Sequence, residues 1–281
     1  MPVAACAASI MTSASVLLLG GGNLAAVVEP LLRRVANVVR VADPDVGSEE
    51  KAAGSSVGRD HSDANVIVSL VDDEERLRKF VHGQFGSEGG GNVLHLIDLG
   101  LPHLERTRRL ADACHSIGID VHAGHLSVWA EAGASRSLVY AQPRSMIAGA
   151  LAPIFDAMGG VVPVSNPKSI GLLCDLLSGV NLAVAREAVR IGFGAGIDPD
   201  VLLGLLQRGS AANAMLSDAS VVAAPSPHAA GGFDERSALA RDRLRVAVDA
   251  ARAYGHSTFF GALALTRIAA SARAAVGRVP G

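Results

Sequence analysis

A short apolar run that ends in three consecutive glycines constrains this chain more than any other feature. Val16-Leu17-Leu18-Leu19 reads as a buried strand and Gly20-Gly21-Gly22 as a tight turn. Asn23-Leu24-Ala25 starts an amphipathic stretch with Leu24, Val27, Val28, Leu31, Leu32 and Val35 on one side. A second apolar run, Val38-Val39-Arg40-Val41-Ala42, then stops on Asp43. Strand, glycine turn, helix, strand and terminal carboxylate follow in the order that a dinucleotide needs. Gly20 permits the turn, Gly22 lets the backbone approach a pyrophosphate, and Ala25 lets the helix pack close to the strand. The helix start at Asn23 and Leu24 offers N–H groups and a positive dipole end to the phosphates. Asp43 stands where a carboxylate accepts from both ribose hydroxyls, which favours NAD over NADP. Arg40 and the loop after Pro44 keep NADP open.

The length of 281 residues allows one large domain or two ordinary ones, and a 49% apolar composition suffices for a sizeable core. A formal net charge of −2 creates no long-range field that would favour nucleic acid or an anionic membrane, so neither is expected as a partner. Cys6, Cys114 and Cys174 are scattered. They give no disulfide framework and no metal spacing, so the expectation is a cytoplasmic protein without a metal. Met1 to Thr12 lacks a basic leading segment and reads as part of an untethered tail, residues 1–13, rather than a signal peptide. No stretch reads as a convincing membrane span.

The first half alternates β-branched runs with helical segments. Candidate strands are 16–19, 38–42, 66–71, 93–97, 119–122 and 138–141, and candidate helices are 24–36, 74–81 and 104–117. Such alternation implies a parallel sheet with right-handed crossovers. Asp72-Asp73-Glu74-Glu75 reads as a solvated helix start. From Lys168 to Ala195 the pattern is helical and apolar on nearly every face, which predicts a helix buried on all sides. Asn166-Pro167 marks its start, Gly194-Ala195-Gly196 its end, and Asp198-Pro199 the cap of the next helix. Further helical patterns run over 198–207, 236–254 and 259–276. The fold class is therefore α/β: an N-terminal Rossmann domain with a doubly wound parallel sheet, residues 14–163, then an all-helical domain, residues 164–281.

In order and spacing these segments resemble the β-hydroxyacid dehydrogenase superfamily, the 3-hydroxyisobutyrate dehydrogenase-like proteins and their divergent imine reductase branch. Val66 to Asp73 looks like the family segment that runs beneath the cofactor, which assigns Leu70 and Val71 to the nucleotide site. Ile97-Asp98 followed by Pro102, and Ala152 to Gly159, are similar to its next recurring blocks. Glu187-Ala188 before Ala195-Gly196-Ile197-Asp198-Pro199 resembles the long interdomain helix and its exit. Arg241-Asp242 sits where the family carries a Lys-Asp pair facing the cofactor. The resemblance implies a small-molecule substrate, a homodimer through the helical domain, and an active site between the sheet edge and that domain.

The chain departs from the family at its reactive positions. Gly100 and Leu101 replace a serine and a threonine, and His122 to Val128 replaces a substrate loop. Counting back from Glu187, the family's catalytic lysine falls on Gly171 and its following amide on Asp175, with Lys168 one helical turn earlier. Imine reductases also lose that lysine. Hydride transfer needs one group to exchange a proton with oxygen or nitrogen. The candidates are Asp175, set among leucines that would raise its pKa or alternatively paired with an arginine, then Lys168, His122 and His125. Arg241 is a candidate cofactor or carboxylate contact, or a surface ion pair with Asp242. The expected activity is NAD(P)-dependent hydride transfer to or from a C=O or C=N bond. The alternative is a nucleotide-binding member that has lost or repurposed that chemistry. An adenosyl-dependent methyltransferase ranks third, because its sheet usually ends in an antiparallel hairpin.

Overall fold

The computed structural model describes residues 15–41, 63–86, 93–100, 104–131, 134–142, 149–217 and 232–276. The chain divides into two compact units. One comprises Met1–Ser127 with Ser137–Gly171, and the other Val128–Arg136 with Leu172–Gly281. The division thus falls inside the long helix, whereas the sequence pattern sets it between 163 and 164.

The first unit carries β1 (Ser15–Leu19), α1 (Gly22–Leu32), β2 (Asn37–Val41), β3 (Val66–Ser69), α2 (Glu74–Phe85), β4 (His95–Asp98) and α3 (Leu104–His115). It continues with most of β5 (Asp120–Glu131) and β6 (Ala134–Ala141), then α4 (Ala152–Met158) and β7 (Gly160–Pro163). The strand order is β2-β1-β3-β4-β5-β6-β7. β1 to β5 pair in parallel, as do β6 and β7, with Leu19↔Ser69, Ser69↔Asp98 and Asp98↔Ala123 in register at the carboxyl edge. Chain order reverses at β1, which lies between β2 and β3.

Strand alternation sorts the side chains into two layers. Leu17, Leu19, Ile67 and Leu96 join Leu77, Val81 and Phe85 of α2 and Leu110 and Cys114 of α3 in one apolar cluster. Val16, Leu18, Val68 and Ile97 point the other way and are equally buried. On α1, Ala25, Val28 and Leu32 are buried, and on α4, Ile154, Phe155 and Met158. A parallel sheet buried on both faces explains why its strands read as unbroken apolar runs rather than alternating ones.

Local chemistry sets several boundaries. Asp73 caps α2, its carboxylate accepting from Glu75 N and Arg76 N at 3.0 and 3.2 Å. α1 ends at Leu32 rather than 36, two residues after the proline at position 30. β5 runs nine residues beyond the expected 122, and β7 answers no apolar run singled out in the sequence. β7 takes its register from β6, Leu138↔Gly160 through Ala141↔Pro163.

The second unit holds the rest of α5 (Pro167–Gly194), then α6 (Pro199–Leu206), α7 (Gly232–Ala253) and α8 (Phe259–Val276). Asp198 caps α6 by accepting from Asp200 N and Val201 N. Leu182 and Ala183 of α5 pack with Leu244 and Val248 of α7 and with Ala264 and Ile268 of α8. Ala185 and Val189 pack with Leu202 and Leu203 of α6. The expectation that α5 is buried on all sides is corrected here. Leu173, Leu177, Val184 and Ile191 are 57–67% exposed in the single chain. The neighbouring helices cover one side of α5, and composition cannot say which apolar face is covered. By length and composition α5 also passes as a membrane span, with 44% of its most apolar window buried inside the protein.

Candidate functional site

The nucleotide corner lies where β1 gives way to α1. Gly20 has φ +118°, a conformation that L side chains avoid, and its N–H donates to Val41 O at 2.9 Å. A Cβ there would sit 3.0 Å from Leu70 Cβ, so Leu70 lies directly behind the turn. Leu70 N in turn donates to Leu19 O at 2.8 Å, and Val71 N to Ser69 Oγ at 3.2 Å. The residue before α1, Gly21, is extended and brings no side chain to cap the helix, and the first turn holds no acid. The first N–H groups of α1, from Gly22, Asn23 and Leu24, therefore receive no cap from the residue before the helix, at the carboxyl edge beside the chain reversal. That is the chemistry a diphosphate needs, so the residues present fit a dinucleotide. Arg40 is held by Glu29 of α1, Nη1 to Oε2 at 3.1 Å, and Glu29 also binds Arg33 at 2.7 Å. Asp43 lies outside the described residues.

A second polar cluster occupies the ends of β4 and α5. Lys168 Nζ lies 2.9 Å from Asp98 Oδ2 and donates to Gly100 O at 2.9 Å. Both side chains are buried. Asp98 Oδ1 accepts from Gly100 N at 3.1 Å. A Cβ on Gly100 would collide with Val71 O, so the glycine that replaces the family's serine is required by close packing. Cys114 faces the same layer, where burial first and then the Asp98 charge push its thiol up to about 11.

His125 and His122 separate by strand parity. Asp98 pairs with Ala123, so Asp98, Ala123 and His125 share one face, His125 lying two residues past the last β4–β5 pair. His125 is buried, and its ring stacks on Tyr140 with centroids 6.1 Å apart and planes at 29°. The same ring presses on Gly171 of α5. A Cβ at 171 would lie 3.0 Å from His125 Cβ and closer still to Cγ and Nδ1. His122 points to the opposite face, where Nε2 meets His95 Nδ1 at 3.3 Å. Burial holds both of these imidazoles below their ordinary pKa. The His95 ring further disfavours a charge on His122, and Asp120 opposes the shift at both.

In the second unit Asp175 meets Arg243 of α7, Oδ1 to Nη1 at 3.4 Å, with both side chains largely buried. Arg241 pairs with its neighbour Asp242 at 3.3 Å. Asn213 serves as a turn residue, accepting from Met215 N and donating to Ala211 O. The structure thus gathers Lys168 and His125 beneath one end of α5, with His122 on the other face of the sheet and Asp175 in the second unit. The sequence reading missed the partners: Asp98 for Lys168, Arg243 for Asp175 and Gly171 for His125. The carboxylate ending β4 was the available signal, since a lysine buried at a helix start needs a counter-charge.

Seven strands, mostly parallel, followed by a helical unit define a two-domain α/β-plus-helical fold. Residues 169–279 match the family described as NAD-binding of NADP-dependent 3-hydroxyisobutyrate dehydrogenase. The Mycobacterium tuberculosis 3-hydroxyisobutyrate dehydrogenase with L-serine is similar over 93% of this chain and 94% of that one, at 17% identity and TM-score 0.66. The Salmonella typhimurium 3-hydroxyisobutyrate dehydrogenase is similar over 93% and 95%, at 17% identity and TM-score 0.66. Psf3 in complex with NADP+ and 2-OPP is similar over 92% and 94%, at 19% identity and TM-score 0.62. Comparison with the curated proteins finds no match. The matched helical segment is thus similar to that family, and the chain shares the fold of these solved structures.

Two outcomes follow from these contacts. Lys168→Met leaves the Asp98 carboxylate buried without its counter-charge and should lower stability by about 3–5 kcal/mol. A Lys168→Met, Asp98→Asn double variant should recover part of that loss in urea titrations. The His95–His122 pair should make stability depend on pH. The folded imidazoles bind protons less readily than unfolded ones (~6.5), so their contribution is complete above that value and fades as pH falls below it toward the folded pKa. Melting temperatures between pH 8 and 5 should fall less steeply for His122→Asn than for the parent.

Proposed function

We propose that the chain is an NAD(P)-dependent oxidoreductase that transfers hydride to or from a C=O or C=N bond of a small metabolite. The observation that carries this reading is the uncapped start of α1 at the β1–β3 reversal. Main-chain N–H groups of Gly22, Asn23 and Leu24 would hold the diphosphate, and Leu70 and Val71 border the same corner. The bound cofactor supplies or accepts the hydride, and the protein orients the partners and manages one proton. NAD is the preferred form in this reading. Asp43 follows β2, and Arg40, the cation within that strand, is already engaged by Glu29. In thermal-shift measurements NADH should raise the melting temperature more than NADPH, and S-adenosylmethionine should leave it unchanged. A larger shift with NADPH would overturn the role given to Asp43.

One observation favours a second reading. With Gly171 pressed by His125 and Lys168 paired with Asp98, no lysine amine issues from α5 at the family's position. A nucleotide-binding protein without hydride chemistry fits that arrangement. NADH that binds but is not oxidised by any member of a carbonyl and imine panel would select it.

The exposed residues Leu173, Leu177, Val184 and Ile191 support a homodimer in which a second copy covers α5. Light scattering should give twice the chain mass at micromolar concentration. Leu177→Glu with Val184→Glu should give the single-chain mass.

A further inference from the structure

We infer that the buried Lys168–Asp98 pair positions the nicotinamide half of the cofactor by fixing the Gly100 main chain at the end of β4. The inference rests on the oxidoreductase reading above and adds the device that sets one end of its cofactor site. In that reading the diphosphate lies at the start of α1, past the end of β1, with β2 on one side and β3 on the other. Asp43, which follows β2 in the sequence, is assigned the adenosine ribose. A dinucleotide crosses the chain reversal with one nucleoside on each side of it. The nicotinamide half therefore runs toward the ends of β3 and β4, where Val71 and Gly100 stand.

The pair holds both main-chain groups of Gly100. Lys168 Nζ donates to Gly100 O at 2.9 Å, and Asp98 Oδ1 accepts from Gly100 N at 3.1 Å. The pair itself closes at 2.9 Å, Nζ to Asp98 Oδ2. Gly100 packs so closely on Val71 O that a Cβ would collide with it. Val71 is fixed through its own N–H, which donates to Ser69 Oγ at 3.2 Å. Its neighbour Leu70 backs the Gly20 turn, where a Cβ would lie 3.0 Å from Leu70 Cβ. Contact is thus continuous from the start of α5, through Gly100, Val71 and Leu70, to the turn assigned to the diphosphate.

Stability by itself does not call for this pair. Apolar residues of similar volume are often as stable as a buried ion pair, because both charges lose their water. What the charges add is direction. Charge-assisted hydrogen bonds to an amide and a carbonyl set the planes of the two peptides that flank Gly100, whereas an apolar contact lets them slide. Lys168 is 1% exposed and Asp98 7%, so neither side chain presents itself to a substrate. Lys168 is accordingly a positioning residue that acts through Gly100. The resemblance places a catalytic lysine one helical turn further on, at Gly171. In this chain the ammonium is turned instead to the main chain beside Val71.

The test uses the full chain, its Lys168→Met and Lys168→Met/Asp98→Asn variants, and two probes, NADH and ADP. ADP carries the adenosine diphosphate half without the nicotinamide. Affinities are read by calorimetry at a temperature where circular dichroism shows each protein folded. In the double variant the amide at position 98 can still accept from Gly100 N, but Gly100 O has lost its ammonium donor. Both variants should bind NADH about 10-fold more weakly, the size of one lost hydrogen bond to a charged group, and keep the parental affinity for ADP. The double variant should regain urea stability without regaining NADH affinity, which separates positioning from folding. In the parent, NADH should move the Gly100 amide signal in NMR spectra and ADP should leave it in place, a readout that needs neither variant. The inference is overturned, with NADH still bound by the parent, by equal losses for NADH and ADP, by parental NADH affinity in the variants, by NADH affinity that returns with stability in the double variant, or by a Gly100 amide blind to NADH. Failure of NADH to bind the parent would instead remove the nucleotide reading itself, and this inference with it.

Discussion

Both faces of a parallel sheet have to be kept from water, because crossover connections lay helices over each of them. In this chain α2 and α3 complete the cluster that contains Leu17, Ile67 and Leu96. The equally buried Val16, Leu18, Val68 and Ile97 form the other side. Nearly all the polar opportunity is thereby driven to the strand ends. There the backbone leaves its ladder and helix N-termini emerge. Gly20, Leu70, Asp98 and Gly100 all lie on or just past the carboxyl ends of their strands.

At that edge, charge is admitted only with a partner. The Lys168 ammonium is taken out of water because Asp98 and the Gly100 carbonyl meet it, and the second Asp98 oxygen is occupied by Gly100 N. The pair fastens the start of α5 to the end of β4. Gly100 and Gly171 look like losses when compared with the family pattern. Each is a place where another group stands within reach of a missing Cβ, Val71 O in one case and the His125 ring in the other. Departures at reactive positions are thus repacking events with partners.

Similarity of fold at 17–19% identity is what close packing allows. Cores tolerate extensive exchange among apolar residues when volume and pattern are kept. The helical unit follows the same rule with one side unmatched. α5 buries Leu182, Ala185 and Val189 within its own unit and leaves Leu173, Leu177, Val184 and Ile191 outside. A 28-residue helix with apolar residues around most of its circumference meets more than one neighbour or leaves a stripe uncovered.

The sequence by itself determined the βαβ opening at Val16 to Val41, the caps at Asp73 and Asp198, and both ends of α5. Each depends on residues close together in the chain: a glycine that can take positive φ, a carboxylate two or three residues before an N–H, a proline at a helix start. The strand extension of β5 to Glu131 and the existence of β7 came from pairing with distant neighbours, which local propensity does not encode. The same holds for the site. His122 and His125 are three residues apart in sequence, yet strand parity sends one to His95 and the other to Gly171. Lys168 and Asp98 are 70 positions apart and meet within 2.9 Å. Which charge is neutralised, which neighbour each histidine meets and which face of α5 is covered were decided only in the tertiary structure. Those are contacts between elements, and a linear pattern records what each element can bury but not which neighbour it buries against.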